Sequence, residues 1–236
     1  NPAVLMAAAW HHLITQRGIH NLVVLPYCDS LTLLGKYLQQ LIMESIGKDE
    51  QGLAVFGNKG STDQHSFVQQ LRDGRRDFFV TFLRVLDPQI DWEVEPGITA
   101  GDYIAAFQEG TEEALTDAGR PSMRLTIERM NAYALGALVA LFERTVGIYA
   151  SLIGINAYHQ PGVEAGKKAA DAILGVQRRL IARLKAVSGT SIAARDLARE
   201  EKTSLGRVHD ILGRLAVRQP ATVVYESDTD CYRLQG

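Results

Sequence analysis

The chain has 236 residues, of which 46% are hydrophobic and 22% charged, and its net charge is −2. This balance excludes a disordered, a collagen-like and a coiled-coil protein. A chain of this length buries about 70–75% of its unfolded surface on folding, so its core needs no disulfide or metal. The two cysteines, Cys28 and Cys231, lie far apart and form no Cys-x-x-Cys pair. This usage indicates reduced thiols and an intracellular protein.

The predicted elements alternate between helices and strands up to residue 153. Short, continuously apolar runs predict buried strands, and longer periodic runs predict helices. In chain order these are a helix at 2–16, a strand at 21–26, a helix at 30–46, a strand at 53–57, a helix at 64–71, a strand at 77–86, a helix at 99–115, a strand at 123–127 and a helix at 131–153. The alternation predicts an α/β fold, doubly wound around a mainly parallel sheet, with ligands bound beyond the carboxyl ends of the strands.

The longest apolar stretch, 133–155, is long enough for a membrane span. It carries Glu143 and Arg144 at its centre, and charges there would be costly in hydrocarbon. We therefore predict a core helix and no membrane partner.

The chain changes character after residue 177. Residues 1–177 carry 14 Lys and Arg against 20 Asp and Glu, a net charge of −6, whereas residues 178–236 carry 11 against 7, a net charge of +4. We therefore predict one domain over 1–177 and a tail over 178–236. A helical pattern over 161–187 is followed by predicted helices at 191–201 and 204–217 and by a hairpin at 221–226 and 231–234. Two helices followed by a hairpin resemble a small winged-helix module.

A basic winged-helix tail would suit a protein that binds nucleic acid. Residues 178–218 carry ten Lys and Arg against four acids, but the acids are dispersed among the basic residues and aromatic residues are few. Glu226, Asp228 and Asp230 would lie on the wing. We therefore expect no nucleic-acid partner.

The first polar cluster is the segment 40–48, QLIMESIGK, which places Glu44 near the end of an otherwise apolar helix. Burial there would raise the pKa of the carboxyl group towards neutrality and suit it to proton abstraction. The spacing equally allows a solvated carboxylate on a helix face.

The second cluster is the segment 57–65, GNKGSTDQH, which follows a predicted strand and opens a helix. Backbone N–H groups in such a glycine-bearing turn can bind an anion, although the spacing of a P-loop is missing. Ser61 or Asp63 could instead be an ordinary N-cap. His65, on its own, is more often a structural histidine than a catalyst.

The third cluster is the segment 156–167, NAYHQPGVEAGK. Pro161 fits the first turn of a helix, and Lys167 falls about two turns into it, where a lysine is ordinarily a solvated charge. The sequence offers no His, Cys and Asp cluster with metal-ligand spacing, so we expect no metal and no other cofactor.

Together, and in this order, the three clusters resemble the glucose-6-phosphate isomerase (phosphoglucose isomerase) family. The matching strings are MESIGK at 43–48, GNKGSTDQHSFVQQLRDG at 57–74 and NAYHQPGVEAGK at 156–167, and the resemblance covers residues 1 to about 175. The string YHQPGVEAGKKAA is most similar to the bacterial and plastid branch. The resemblance implies a sugar-isomerase (SIS) domain over residues 1–177.

The resemblance also implies an aldose–ketose isomerase of glycolysis and gluconeogenesis, which interconverts glucose 6-phosphate and fructose 6-phosphate through a cis-enediol. It assigns Glu44 as the base that moves a proton between C2 and C1. His65 would take part in opening the sugar ring, and Lys167 would assist at the ring oxygen and nearby hydroxyls. Gln40 and Gln160 would border the sugar. The protein would be a cytoplasmic homodimer in which His65 enters the partner's site, with the plastid stroma as the alternative location.

The sequence departs from the family pattern in two ways. His159 stands where many members have Asp or Asn, which affects the local contacts. The GGR signature, whose arginine would stabilise the enediolate, and the Ser/Thr-rich phosphate loop of the companion domain are absent from the sequence. We therefore expect that the chain corresponds to the carboxyl-terminal half of the enzyme, lacks its amino-terminal half and is inactive alone. The alternative is a non-catalytic regulator that senses a sugar phosphate or binds nucleic acid on the same fold.

Overall fold

A computed structural model of the chain describes residues 1–187, 189–219 and 221–235. These residues form two compact units, residues 1–159 and residues 160–236. Each unit has its own hydrophobic core.

The first unit is built around a four-stranded sheet in which every pair of neighbours is parallel. The strands of this unit are β1 (Asn21–Pro26), β2 (Ala54–Gly57), β3 (Phe78–Asp87), β4 (Glu93–Glu95), β5 (Ile98–Thr99) and β6 (Ser122–Arg129). The sheet has the order β2-β1-β3-β6, and β4 and β5 form a separate hairpin. Its α-helices are α1 (Pro2–Arg17), α2 (Leu34–Ile46), α3 (Gln69–Asp73), α4 (Ala100–Asp117) and α5 (Ala132–Leu152). A 3₁₀ turn, Asp29–Leu31, precedes α2, and a π-helical turn, Gln64–Val68, precedes α3.

Strand β1 is buried on both faces, as its continuous apolar sequence predicts. Leu22 and Val24 belong to a core that also contains residues of α1, α2 and α5, whereas Val23 and Leu25 belong to a second core with residues of α3 and α4. Because side chains alternate along a strand, this division places helices on both faces of the sheet. The predicted doubly wound α/β fold is thus confirmed.

The hairpin of β4 and β5 is absent from our sequence prediction. Its three-residue and two-residue strands are exposed apart from Thr99, and Gly97 turns the chain with a φ of 76°. Strands of two or three residues are too short to show the apolar alternation on which strand prediction depends.

Helix α5 buries one face in the first unit, through Leu138, Phe142, Val146 and Tyr149. By length and composition it is the one helix in the described ranges that could cross a membrane, and a third of its most apolar window is buried. Glu143 and Arg144 lie exposed between its buried positions. The other exposed positions of α5 are mostly apolar, among them Tyr133 and Leu135, so the helix buries one face and leaves a second, largely apolar face exposed.

The second unit contains α6 (Pro161–Ala186), β7 (Ile192–Ala193), α7 (Ala194–Glu200), α8 (Leu205–Arg218), β8 (Val223–Glu226) and β9 (Cys231–Leu234). Strand β9 lies between β7 and β8 in an antiparallel sheet. The order of helices and strands confirms the winged-helix-like prediction. One detail was wrong: residues 192–193 are a strand that pairs with β9, and the helix predicted over 191–201 begins only at Ala194.

The division into compact units falls at residues 159 and 160, whereas the charge balance placed the boundary after residue 177. Residue 177 lies inside the continuous helix α6, and Leu180 and Leu184 of that helix belong to the core of the second unit. Helix α6 therefore folds with the tail. As a division between functional domains, 1–177 and 178–236 stay a prediction.

Candidate active site

Glu44 lies in the last turns of α2. That helix buries Leu34, Leu38, Ile42 and Ile46, which recur every four residues on one face. Glu44 is half-buried, and Gln40, one turn earlier, is exposed. The spacing of four residues places the amide and the carboxylate on the same side of the helix.

Lys48 follows α2 directly and holds its end in place. Its ammonium group donates hydrogen bonds to the carbonyl oxygen of Ser45, at 2.8 Å, and to that of Asn156, at 2.7 Å. The first bond satisfies one of the carbonyl groups that a helix leaves free at its C-terminus. The second joins the motif of Glu44 to the segment after α5. The sequence places Lys48 at the end of the first motif but indicates no role for it, because nothing local identifies its partner.

An open groove of about 700 Å³ runs between α2 and α5. Its lining includes Leu41 and Ser45 from α2, Glu143 and Ser151 from α5, and Tyr158. Glu44 itself is not among the lining residues, although its chain neighbour Ser45 is.

The loop before His65 is closed by Asp63. The Oδ2 atom of Asp63 accepts hydrogen bonds from the backbone N–H of Lys59, at 2.8 Å, and from Nδ2 of Asn58, at 3.2 Å. The Lys59 ammonium pairs in turn with Asp29, at 2.7 Å. The Asp63 carboxylate already accepts the hydrogen bond of one backbone N–H group in this loop. The loop is therefore a poorer site for an added anion than the sequence predicts. Asp63 makes no side-chain cap of the following turn, so the N-cap alternative is wrong for it.

Glu44 and His65 lie at opposite ends of the sheet. Helix α2 begins beside the carboxyl end of β2, where Gly35 approaches Gly57, and ends just before the loop that leads into the start of β2. His65 follows the end of β2 and is exposed. Four residues of strand separate the two ends by about 13 Å. Within one chain the structure therefore does not bring these two residues together.

Gln160 and Lys167 belong to the second unit. Gln160 precedes Pro161, which occupies the first turn of α6 as predicted, and the Gln160 side chain makes no capping bond. Lys167 is exposed and pairs with Glu164, at 3.3 Å. Both side chains are therefore open to solvent in this unit.

The predicted site residues supply complementary chemistry. The first unit presents a half-buried carboxylate and an imidazole, and the second presents an amide and an ammonium group. A carboxylate and an imidazole can each accept and return a proton, and an ammonium group can donate to an oxygen. In the described part of the chain, no three His, Cys, Asp or Glu residues are placed to hold a metal ion.

Comparison with known proteins adds a family match. The sequence model of the family described as phosphoglucose isomerase matches residues 1–106 and 104–185. The chain is 56% identical over 193 residues to the glucose-6-phosphate isomerase of Thermosynechococcus vestitus, an alignment that covers 77% of this chain and 36% of that protein. It is 50% identical over 231 residues to the enzyme of the same name from Synechococcus elongatus, covering 93% of this chain and 43% of that protein.

Two solved structures are similar in fold. A glucose-6-phosphate isomerase from Chlamydia trachomatis superposes with a TM-score of 0.69 and 26% identity, covering 79% of this chain and 42% of that one. The hypothetical protein TT0462 from Thermus thermophilus superposes with a TM-score of 0.62 and 28% identity, covering 73% of this chain and 50% of that one. The chain thus spans about two fifths of the length of the curated relatives that it matches.

Proposed function

The chain belongs to the phosphoglucose isomerase family, and from that premise we propose that it supplies part of the active site of a glucose-6-phosphate isomerase. The reaction is the reversible conversion of glucose 6-phosphate to fructose 6-phosphate in glycolysis and gluconeogenesis. The family match over residues 1–106 and 104–185 carries this proposal, because it includes every motif with a proposed role. We place the protein in the cytoplasm, with the plastid stroma as the alternative.

Glu44 is the proposed base. Its carboxylate takes the proton from C2 of the open-chain sugar and returns it to C1, while a proton also passes from the C2 hydroxyl to the C1 oxygen. The intermediate between the two steps is a cis-enediol. A carboxylate suits this task because one group can accept and then donate the same proton. The anchoring of α2 by Lys48 supports the assignment, since a base must be held in position within hydrogen-bond distance of its substrate.

His65 and Lys167 are the proposed groups for ring opening. The imidazole and the ammonium group move a proton between the ring oxygen and the neighbouring hydroxyl, while Gln40 and Gln160 border the sugar. Their exposure in this chain fits a site that further parts of the protein complete.

We further propose a homodimer in which His65 reaches the site that contains the partner's Glu44. The separation of Glu44 and His65 across the sheet supports this arrangement, because a single chain would have to bring them together over at least the length of β2.

The alternative function, a nucleic-acid-binding regulator, has less support. In the described part of the tail, several arginines already pair with carboxylates of the same unit, as Arg179 does with Glu201 and Arg183 with Glu200. These carboxylates lower the net positive charge of the unit, and net positive charge is what attracts nucleic-acid phosphates.

The substitution Glu44→Gln tests the proposal in an active assembly of this chain with the remaining part of a curated relative. The amide keeps the shape and loses the basicity, so isomerisation should fall by about 10²–10⁴-fold while sugar-phosphate binding persists. Glu113→Gln, an exposed change on α4, is the matched control and should leave turnover unchanged. Near-normal turnover of Glu44→Gln would overturn the assignment. The chain alone should show negligible isomerisation, since the family's phosphate loop and GGR arginine are absent from its sequence.

A further inference from the structure

Thr111 of α4 is a buried residue that lies at the centre of a hydrogen-bond network beneath the His65 turn. It is 4% exposed. Its hydroxyl oxygen lies 2.7 Å from Nε2 of Gln64, 3.2 Å from the hydroxyl of Tyr27 and 2.7 Å from the carbonyl oxygen of Phe107. A hydroxyl has one hydrogen and two lone pairs. It donates to Phe107, and it accepts from both Gln64 and Tyr27, so its hydrogen-bonding capacity is fully used.

Tyr27 ties the same network to the loop that leads into His65. Its ring packs against Gly60 so closely that a Cβ atom at position 60 would lie 2.3 Å from the ring. The backbone N–H of Gly60 donates to the carbonyl oxygen of Pro26, at 2.7 Å. Burial raises the pKa of the Tyr27 hydroxyl, so the group stays protonated and remains a donor to Thr111. The middle of the loop is thus fixed to the end of β1.

Gln64 connects this network to His65, its neighbour in the chain. The two residues open the π-helical turn Gln64–Val68, a rare geometry that is common at functional sites. The His65 ring itself is exposed, so its position depends on the backbone that carries it. The Gln64 amide supplies a side-chain hydrogen bond that ties this backbone to α4.

We infer that Thr111 and Gln64 are positioning residues for His65, and that Thr111 holds the turn through the Gln64 amide. The inference rests on the proposed function of His65 and goes beyond it, because it assigns roles to Gln64 and Thr111, which have none in that proposal. Thr111 touches neither substrate nor reacting atoms. Its effect on the reaction passes through the orientation of the imidazole, where a displacement of about 1 Å can cost up to 10²-fold in rate.

The test uses Thr111→Val, which keeps the shape and removes the hydroxyl, with Thr111→Ser as the conservative variant. Thr116→Val on the same helix is the matched control, because the Thr116 hydroxyl also donates to a carbonyl oxygen one turn back, at 2.8 Å from Glu112, without contacting the loop. Gln64→Met is the second variant; it removes the amide and leaves the pair of Tyr27 and Thr111 in place.

The first measurement is the NMR spectrum of the histidine rings in the 236-residue chain, with His65→Gln to assign the signal. We expect the His65 ring signal to shift or broaden in Thr111→Val and Gln64→Met, and to stay unchanged in Thr111→Ser and Thr116→Val. In the active assembly, Thr111→Val should lower kcat by about 10–10²-fold with little change in KM, and Thr111→Ser should restore it. An unchanged His65 signal in folded Thr111→Val and Gln64→Met would overturn the inference.

The two proposals fail in distinguishable ways. If His65→Gln retains normal turnover in the active assembly, the proposed role of His65 is wrong, whatever the ring signal shows. If His65→Gln abolishes turnover but Thr111→Val changes neither the signal nor kcat, the role of His65 stands and the positioning role of Thr111 is wrong.

Discussion

The Lys48 ammonium group lies 2.7 Å from the carbonyl oxygen of Asn156 and joins two motifs that are 108 residues apart. The same group satisfies the Ser45 carbonyl at the end of α2. One side chain thus fixes the turn that carries Glu44 to the segment after α5.

Replacing Lys48 by Met should therefore destabilise the first unit. The methionine keeps most of the aliphatic length but leaves two carbonyl groups without their charged donor, which should cost about 1.5–3 kcal/mol of unfolding free energy. Chemical denaturation of the chain measures this loss. Lys36→Met, an exposed change on the same helix, should alter stability by less than about 0.5 kcal/mol. Equal effects of the two substitutions would contradict the role of Lys48.

Gly57→Ala should be poorly tolerated because α2 and β2 approach each other at two glycines. A Cβ atom at position 57 would lie 2.7 Å from Cα of Gly35, and one at position 35 would lie 2.8 Å from Cα of Gly57. Both obstacles are backbone, so relief requires the helix to move, at a cost of about 1–3 kcal/mol or more. Gly110→Ala, at an exposed position of α4, meets nothing within 4 Å and should stabilise the chain by about 0.5–1 kcal/mol. In thermal unfolding, Gly57→Ala should lower the melting temperature and Gly110→Ala should raise it.

The tail should lose stability in strong alkali through Tyr232. Burial, with the nearby Tyr225 and Asp230 as further causes, raises the pKa of Tyr232 to about 12, against about 10 in an unfolded chain. A raised pKa means that the stabilisation is complete below pH 10 and is lost as the pH rises through 12. The shift corresponds to about 3 kcal/mol.

Denaturant unfolding between pH 9 and 12 measures this loss of stability. The stability of the parent chain relative to Tyr232→Phe should fall across that range, because the phenylalanine cannot ionise. Tyr133→Phe, at a side chain that is 86% exposed, should leave the slope with pH as it is in the parent. A parallel decline in the parent and in Tyr232→Phe would show that Tyr232 is not the group responsible.

The crossing of His65 between subunits can be tested by mixing two inactive variants. In the active assembly, Glu44→Gln and His65→Ala should each abolish turnover alone. A heterodimer of the two contains one site that combines an intact Glu44 with the partner's intact histidine, so mixed and refolded protein should regain part of the activity. A chain that carries both substitutions should show no activity when it is refolded alone. If no activity returns from the mixture although heterodimers form, each site takes both residues from one chain.

The sequence by itself determined the elements whose signals are local. The continuous apolar run of β1 predicts a strand buried on both faces, and the structure has one. The helical spacing of Leu34, Leu38 and Leu41 predicts a helix with one apolar face, and α2 buries Leu34 and Leu38 and half-buries Leu41. The motif strings around Glu44 and His65 identified the family, because they are long and specific. Patterns of this kind need no knowledge of which segments meet.

Only the tertiary structure decided which residues meet. Lys48 contacts a carbonyl oxygen 108 residues away, and Thr111 contacts Gln64 across 47 residues; local periodicity carries no information on such pairs. The two-residue strand β7 exists because β9 supplies its hydrogen bonds, so its own sequence reads as the start of a helix. The placement of Glu44 and His65 at opposite ends of the sheet likewise follows from the direction in which α2 returns along parallel strands. That direction is set by long-range strand pairing, which is a property of the folded chain.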